Sequence, residues 1–83
     1  MDVNAVILKP IPSIDLHGYL VSAAAQVFFQ KLNQARMDNK LVEINFITGS
    51  GKIQEKFIEL ATQNELKHYI PMQNRGCIII EFE

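Results

Sequence analysis

Residues 41–52 read L-V-E-I-N-F-I-T-G-S-G-K, an apolar run that passes directly into a glycine-rich turn. Apolar and polar residues alternate through the run, which predicts a strand over 41–47, and apolar residues at both of its ends favour an interior place in a sheet. Gly49 and Gly51 end the strand. A helix is expected from near Lys52, because apolar residues recur after it at helical spacing: Ile53, Phe57, Leu60 and Ala61.

A second strand precedes this one and ends in another short motif. Ile14 and Leu16 alternate with Asp15 and His17, so the two apolar side chains face one side of a strand and the two polar ones face the other. Gly18 ends this strand. An acid and an imidazole are therefore expected on one strand face, beside a turn.

A long helix is expected to connect the two strands. From Val21 onward, apolar residues recur every three or four positions, which predicts one broad buried stripe: Val21, Ala24, Ala25, Phe28, Leu32 and Ala35. Ser22 is the expected cap near the start of this helix. Asp38 and Asn39 supply the turn at its end.

The carboxyl-terminal part predicts a hairpin. Residues 67–72 favour a third strand, with Pro71 indicating an edge or a bulge, and residues 73–76 form a turn before the strong strand pattern of 77–82. The expected order is βαβαββ, a two-layer α/β sandwich in which two helices cover one face of a four-stranded mixed sheet. We assign 1–13 to an extended amino-terminal strap and 14–83 to the domain.

Composition restricts the class of protein. The chain has 83 residues, enough for one small domain, and a net charge of −1, which by itself favours neither nucleic acid nor a membrane as partner. Cys77 is the single cysteine, so an internal disulfide is impossible, and the paired spacings of zinc sites are absent. No signal peptide or transmembrane run is visible. The expected location is intracellular, cytoplasmic first, with the nucleus left open.

The predicted topology brings the two motifs together. Right-handed crossovers make the first three strands parallel, so their carboxyl ends share the edge where open α/β sheets bind ligands. We expect Asp15 and His17 to meet there with the loop formed by Thr48, Gly49, Ser50 and Gly51, with Lys52 at the helix start, and with Arg75 in the hairpin turn.

Each motif has a chemical interpretation and a simpler one. Asp15 can orient the His17 imidazole as a general acid or base, or it can cap backbone amides at a strand end. The glycine loop can bind phosphate through free amides, or it can be a tight turn only. ATP and NAD are not expected, because Phe46, Ile53 and Gln54 break the corresponding fingerprints. His68 and Cys77 are expected in packing or surface roles.

On these residues the chain resembles a small MutS-related (Smr) domain over 14–82, through Asp15-Leu16-His17-Gly18, the Gly49-Ser50-Gly51 loop and the closing strand from Gly76. The resemblance implies a fold like the carboxyl-terminal domain of translation initiation factor three, and nicking of DNA or RNA, including messenger RNA on stalled ribosomes. It implies Asp15 and His17 as catalytic residues and the glycine loop as the phosphate site. Thr48 stands where many members have histidine, so His17 acts alone or activity is reduced.

Two functions are therefore expected from the sequence. The first is an endonuclease that favours RNA, with His17 as the general base; this reaction needs no metal, whereas DNA cleavage requires a water and a divalent metal ion. The second is a non-catalytic module that docks nucleic acid, a ribosome or a protein, within a longer parent chain. A domain that binds only protein also stays open. No membrane partner is expected.

Overall fold

The computed structural model describes residues 10–83. This part of the chain forms β1 (Ser13–Asp15), α1 (Val21–Asp38), β2 (Val42–Ile47), α2 (Lys52–Gln63), β3 (His68–Tyr69) and β4 (Cys77–Phe82). The strands lie in the order β1-β2-β4-β3, with β1 parallel to β2 and β4 antiparallel to both of its neighbours. The predicted two-layer α/β fold with a four-stranded mixed sheet is confirmed. Residues 1–9 of the expected strap lie outside the described residues.

The core lies between one face of the sheet and the two helices. Four phenylalanines at its centre contact one another edge to face, with ring centroids 5.2 Å apart for Phe28 and Phe82, 5.6 Å for Phe28 and Phe57, and 4.9 Å for Phe46 and Phe57. Edge-to-face pairs place the positive ring edge against the negative ring face. This cluster joins α1, α2, β2 and β4, so it fixes how the helices sit on the sheet.

The first helix follows its predicted stripe but not its predicted cap. Ala24, Phe28, Leu32 and Ala35 are buried as expected. The cap position is Leu20, which makes no side-chain cap bond, so the expectation for Ser22 is wrong. The chain enters the helix at Val21, which places Ser22 inside the first turn, past the position where a hydroxyl can cap.

The end of this helix is as predicted. Asn39 takes the left-handed conformation, with φ 54°, and its N–H donates to the Arg36 carbonyl over 3.2 Å. Asparagine tolerates this conformation better than most residues, because its short polar side chain bonds locally.

The central strands have nearly their predicted bounds, and the edge strands are shorter. β2 is interior and β3 is at an edge, as expected. β1 stops at Asp15 because Leu16 already begins a turn, in which its carbonyl accepts the Tyr19 N–H at 3.0 Å. β3 ends before Pro71, whose carbonyl accepts the Asn74 N–H at 3.2 Å.

The opposite face of the sheet carries mixed side chains. Glu43, Asn45 and Ile79 are partly buried there, and Ile47 is exposed. Neither helix among residues 10–83 has the length and apolar character needed to cross a membrane.

Two adjacent phenylalanines test the packing of the core. Phe28 is fully buried and contacts two other core rings, whereas Phe29 is 42% exposed. We expect Phe28→Ala to lower the free energy of unfolding by about 3–5 kcal/mol, because it removes a large side chain and leaves a cavity. Phe29→Ala, which loses the contact with Phe28, is expected to cost about 1 kcal/mol. Urea denaturation of both variants measures this difference, and equal losses would contradict the described core.

Candidate functional site

Three chain segments meet at the end of the sheet where β1 and β2 finish and β4 begins, which is the edge predicted for the site. Asp15 pairs with Ile47 across the parallel strands, and Ile47 pairs with Cys77 across the antiparallel ones. The residues that follow Asp15, those that follow Ile47 and those that precede Cys77 therefore become neighbours. They border an open cavity of about 280 Å³ whose lining includes Leu16, His17, Gly18, Ile47, Thr48, Gly49, Ile53, Asn74 and Gly76.

A tight turn presents His17 to this cavity. Leu16 is fully buried and its N–H donates to the Ile47 carbonyl at 2.9 Å, which holds the start of the turn against β2. Gly18 has φ +81°, the value that a type II turn requires at its third position. The His17 side chain is exposed and lines the cavity. It lies beside the glycine loop, as the sequence predicted.

The Asp15 carboxylate accepts a hydrogen bond from the main chain. Its Oδ1 accepts the backbone N–H of His17 at 2.9 Å, which is the second of the two arrangements considered for this pair. Among residues 10–83, no hydrogen bond joins this carboxylate to the imidazole, and Asp15 does not line the cavity. In this geometry the carboxylate shapes the backbone that carries His17.

The loop after β2 is tied to the hairpin turn. The Gly76 carbonyl accepts the N–H of Thr48 at 2.9 Å and that of Gly49 at 2.8 Å. The Thr48 hydroxyl donates to the Gly49 carbonyl at 2.6 Å. The amide of Gly49, expected to contact phosphate, is therefore already occupied, and the free amides begin farther along the loop.

The start of α2 supplies those amides. Gly51 is the cap position and makes no side-chain cap bond, and the first helical bond runs from the Glu55 N–H to the Gly51 carbonyl at 3.1 Å. The N–H groups of Lys52 and Ile53 thus have no acceptor within the helix, and they lie at its positive end. Ile53 lines the cavity, while Ser50, Gly51 and Lys52 are exposed beside it.

Asn74 occupies the place expected for Arg75. Asn74 lines the cavity and its Oδ1 accepts the Gly76 N–H at 3.2 Å, whereas Arg75 is exposed in the turn and does not line the cavity. Asn74 was not predicted from the sequence, because the cation Arg75 was chosen in this turn for its charge. The signal available was the spacing of an asparagine two residues before glycine, which favours a side-chain to backbone turn.

Within residues 10–83, no ion pair involves Asp15, Lys52 or Arg75. The ion pair found among residues 10–83 joins Lys56 Nζ to Glu59 at 3.3 Å, one helical turn beyond Lys52. An exposed pair of this kind adds little stability, but it offsets the Lys56 charge. Lys52 and Arg75 are the cations nearest the cavity along the chain.

The weaker candidates lie where they were expected. His68 begins β3 at the opposite edge, and its Nδ1 lies 2.8 Å from the Leu66 carbonyl. Cys77 is buried at the start of β4. Within the described residues no three of the His, Cys, Asp and Glu side chains are grouped so as to hold a metal ion.

No protein-family model, no curated protein and no solved structure was found to match this chain. Its function is therefore argued from the residues of this edge and their chemistry.

A pair of glycine substitutions tests the geometry of the loop. Gly49 has φ +73°, a conformation that costs other L-residues about 1–2 kcal/mol, so we expect Gly49→Ala to destabilise the domain by about that amount. Gly76 has no such φ, and a Cβ there would meet its nearest atom, the Gly49 Cα, at an ordinary 3.5 Å. Gly76→Ala is expected to change stability by less than about 0.5 kcal/mol. Thermal denaturation distinguishes the two, and the reverse ranking would refute this loop conformation.

Proposed function

We propose that this chain is an Smr-like domain that binds single-stranded RNA and cleaves it, with His17 as the general base. The observation that supports this most is the shared cavity, whose lining includes both the exposed His17 and Ile53 in the first turn of α2. A proton acceptor and an anion site that share one cavity suit a phosphodiester and its ribose.

The phosphate is assigned to the start of α2. The amides of Lys52 and Ile53 point away from the helix, the helix dipole favours an anion there, and the Lys52 side chain adds a full positive charge. Ser50 and Gly51, exposed in front of these amides, permit close approach of a phosphate oxygen. Arg75, exposed in the neighbouring turn, is assigned to the next phosphate along the strand.

The reaction follows from the ribose hydroxyl. His17 takes the proton of the 2′-hydroxyl, the 2′-oxygen bonds to phosphorus, and the bond from phosphorus to the 5′-oxygen breaks as that oxygen takes a proton from water. The products are a 2′,3′-cyclic phosphate and a free 5′-hydroxyl. The helix-start amides stabilise the charge that gathers on the phosphate oxygens. Thr48, whose hydroxyl donates to a carbonyl, takes no part in proton transfer.

RNA is preferred over DNA in this proposal. DNA lacks the 2′-hydroxyl, so its cleavage needs a water and a divalent metal ion. No step of the RNA reaction is assigned to a metal ion, because the 2′-hydroxyl of the substrate supplies the nucleophile. We place the activity inside the cell, in the cytoplasm.

One observation favours the alternative of a docking module without catalysis. Asp15 Oδ1 accepts the His17 backbone N–H, so this carboxylate does not hold the imidazole in a chosen orientation. An unoriented ring still contacts RNA, and a parent chain, a ribosome or another protein would then complete the function. Binding without turnover would support this alternative.

The catalytic claim is tested with a matched pair of histidine variants. We expect His17→Ala to lower the rate of RNA cleavage by about 10²–10⁴-fold, the usual contribution of a general base. His68→Ala, at the opposite edge of the sheet, should cleave at the wild-type rate. End-labelled single-stranded RNA and a chelator in every reaction give the measurement.

The same assay tests the chemical step. A substrate with one 2′-deoxyribose at the cleaved position should resist cleavage there, and a cyclic phosphate should end the product of the all-RNA substrate. Equal cleavage by wild type and His17→Ala would remove His17 from the mechanism.

The phosphate site is tested by charge reversal. Lys52→Glu should weaken RNA binding at every sequence and lower the slope of log affinity against log salt by about 0.7, the loss of one single-strand phosphate contact. Lys67→Glu makes the same charge change in an exposed residue just before β3, at the opposite edge, and should leave the slope near its wild-type value. Fluorescence anisotropy across several salt concentrations gives both slopes. Equal losses in the two variants would place the contact elsewhere.

A further inference from the structure

Gln54 is a buried polar side chain that contacts this edge, and the proposed reaction does not use it. It is 8% exposed and lies on the apolar face of α2, three residues before Phe57. Burial of a primary amide is costly unless its hydrogen-bonding groups find partners. Its position therefore requires specific contacts, and the structure provides them.

Both hydrogens of the Gln54 amide are used on the hairpin turn. Nε2 donates to the Arg75 carbonyl at 2.8 Å and to the Cys77 carbonyl at 3.2 Å. The two acceptors are carbonyl oxygens, which cannot donate, so the amide nitrogen and not the amide oxygen must face them. One side chain of α2 thus binds the backbone on each side of Gly76.

The carbonyl between these two is held from the β2–α2 loop. Gly76 O accepts the N–H groups of Thr48 and Gly49, as described above. Three consecutive carbonyls of the turn, from Arg75 to Cys77, therefore take donors from the segment that leaves β2 and enters α2. Thr48 and Gly49 on the loop side, and Asn74 and Gly76 on the turn side, are all among the residues that line the cavity.

From this arrangement we propose that Gln54 is a positioning residue, which holds the hairpin turn against the β2–α2 loop without lining the cavity. For its effect on RNA this inference rests on the proposed function. Its structural half, that the side-chain amide holds the turn against the loop, stands independently and has its own readout.

The test compares Gln54→Met with Gln63→Met in the full 83-residue chain. Methionine keeps the length and apolar character of the side chain but has no donor. Gln63 is the exposed last residue of α2, so it controls for the chemical change alone. Hydrogen exchange by NMR reports the amides of Thr48 and Gly49, with the amide of Phe28 as a core reference.

In Gln54→Met we expect the protection of the Thr48 and Gly49 amides to fall by roughly tenfold relative to that of Phe28, and Gln63→Met to match wild type. The rate of single-turnover RNA cleavage at saturating RNA should fall by roughly ten- to a hundredfold, with a much smaller change in affinity, because the hairpin turn shifts relative to the loop while the cations remain. A variant that is merely less stable would lose protection at Phe28 as well, and that result would overturn the proposal.

Gln54→Glu serves as a second variant where Gln54→Met fails to fold. Its carboxylate accepts hydrogen bonds only and repels the two carbonyls, whereas the protonated carboxyl has one O–H to donate. Acidification should therefore restore part of the protection at Thr48 and Gly49 in Gln54→Glu and not in wild type.

The outcomes separate the two proposals. Unchanged protection of Thr48 and Gly49 in Gln54→Met overturns the positioning role. Lost protection with unchanged RNA cleavage overturns its link to function. A wild-type chain that neither binds nor cleaves RNA refutes the proposed function alone and leaves the exchange result to decide the structural half.

Discussion

The antiparallel register of β2 and β4 determines the whole candidate site. Because Ile47 lies opposite Cys77, the residues that follow β2 lie beside the residues that precede β4. The Gly76 carbonyl then accepts two amides of the β2–α2 loop, so the sheet's hydrogen bonding continues beyond the strands. The parallel pairing of Asp15 with Ile47 adds the turn that carries His17. Segments distant in the chain thus become one surface through backbone pairing.

Polar groups at this edge divide between building the backbone and facing solvent. The Asp15 carboxylate, the amides of Thr48 and Gly49 and the side chain of Gln54 all bind main-chain partners. Buried or half-buried polar groups need such partners, and here they also hold the loops in place. The imidazole of His17 and the amides at the start of α2 are the groups that the proposed function uses. The residues that shape the backbone and those proposed to act on RNA are therefore different.

Much of this arrangement could be predicted from the sequence, because hydrophobic periodicity records which face of each element is buried. The stripe of α1, the alternation in β2 and the apolar run of β4 predicted the bounds of these elements within a residue, and parallel crossovers placed His17 beside the glycine loop. Hydrogen-bond partners were not predictable, since they depend on register and on side-chain direction. The Asp15 contact with a backbone amide and the preference for Asn74 over Arg75 as a cavity wall follow from those details.

For Gln54, burial could be predicted from the sequence but its hydrogen-bond partners could not. Its spacing from Phe57 placed it on the buried face of α2, which is a signal that periodicity offers. Its partners lie more than twenty residues away, in a turn whose distance from α2 is fixed only by the complete sheet. A polar residue within an apolar stripe therefore identifies an anchor, and only the tertiary structure identifies what it anchors.

The brevity of β1 and β3 has a consequence for how copies of this domain meet. Within residues 10–83, both are the outermost strands of the sheet, and they contain three and two residues. A long flat margin would offer a row of open amides and carbonyls on which another chain could add a strand, the first step towards fibrous aggregates. Pro12 just before β1 and Pro71 just after β3 lack the N–H such growth would need. The longest strands lie inside, so the sheet gives a neighbouring molecule little to extend.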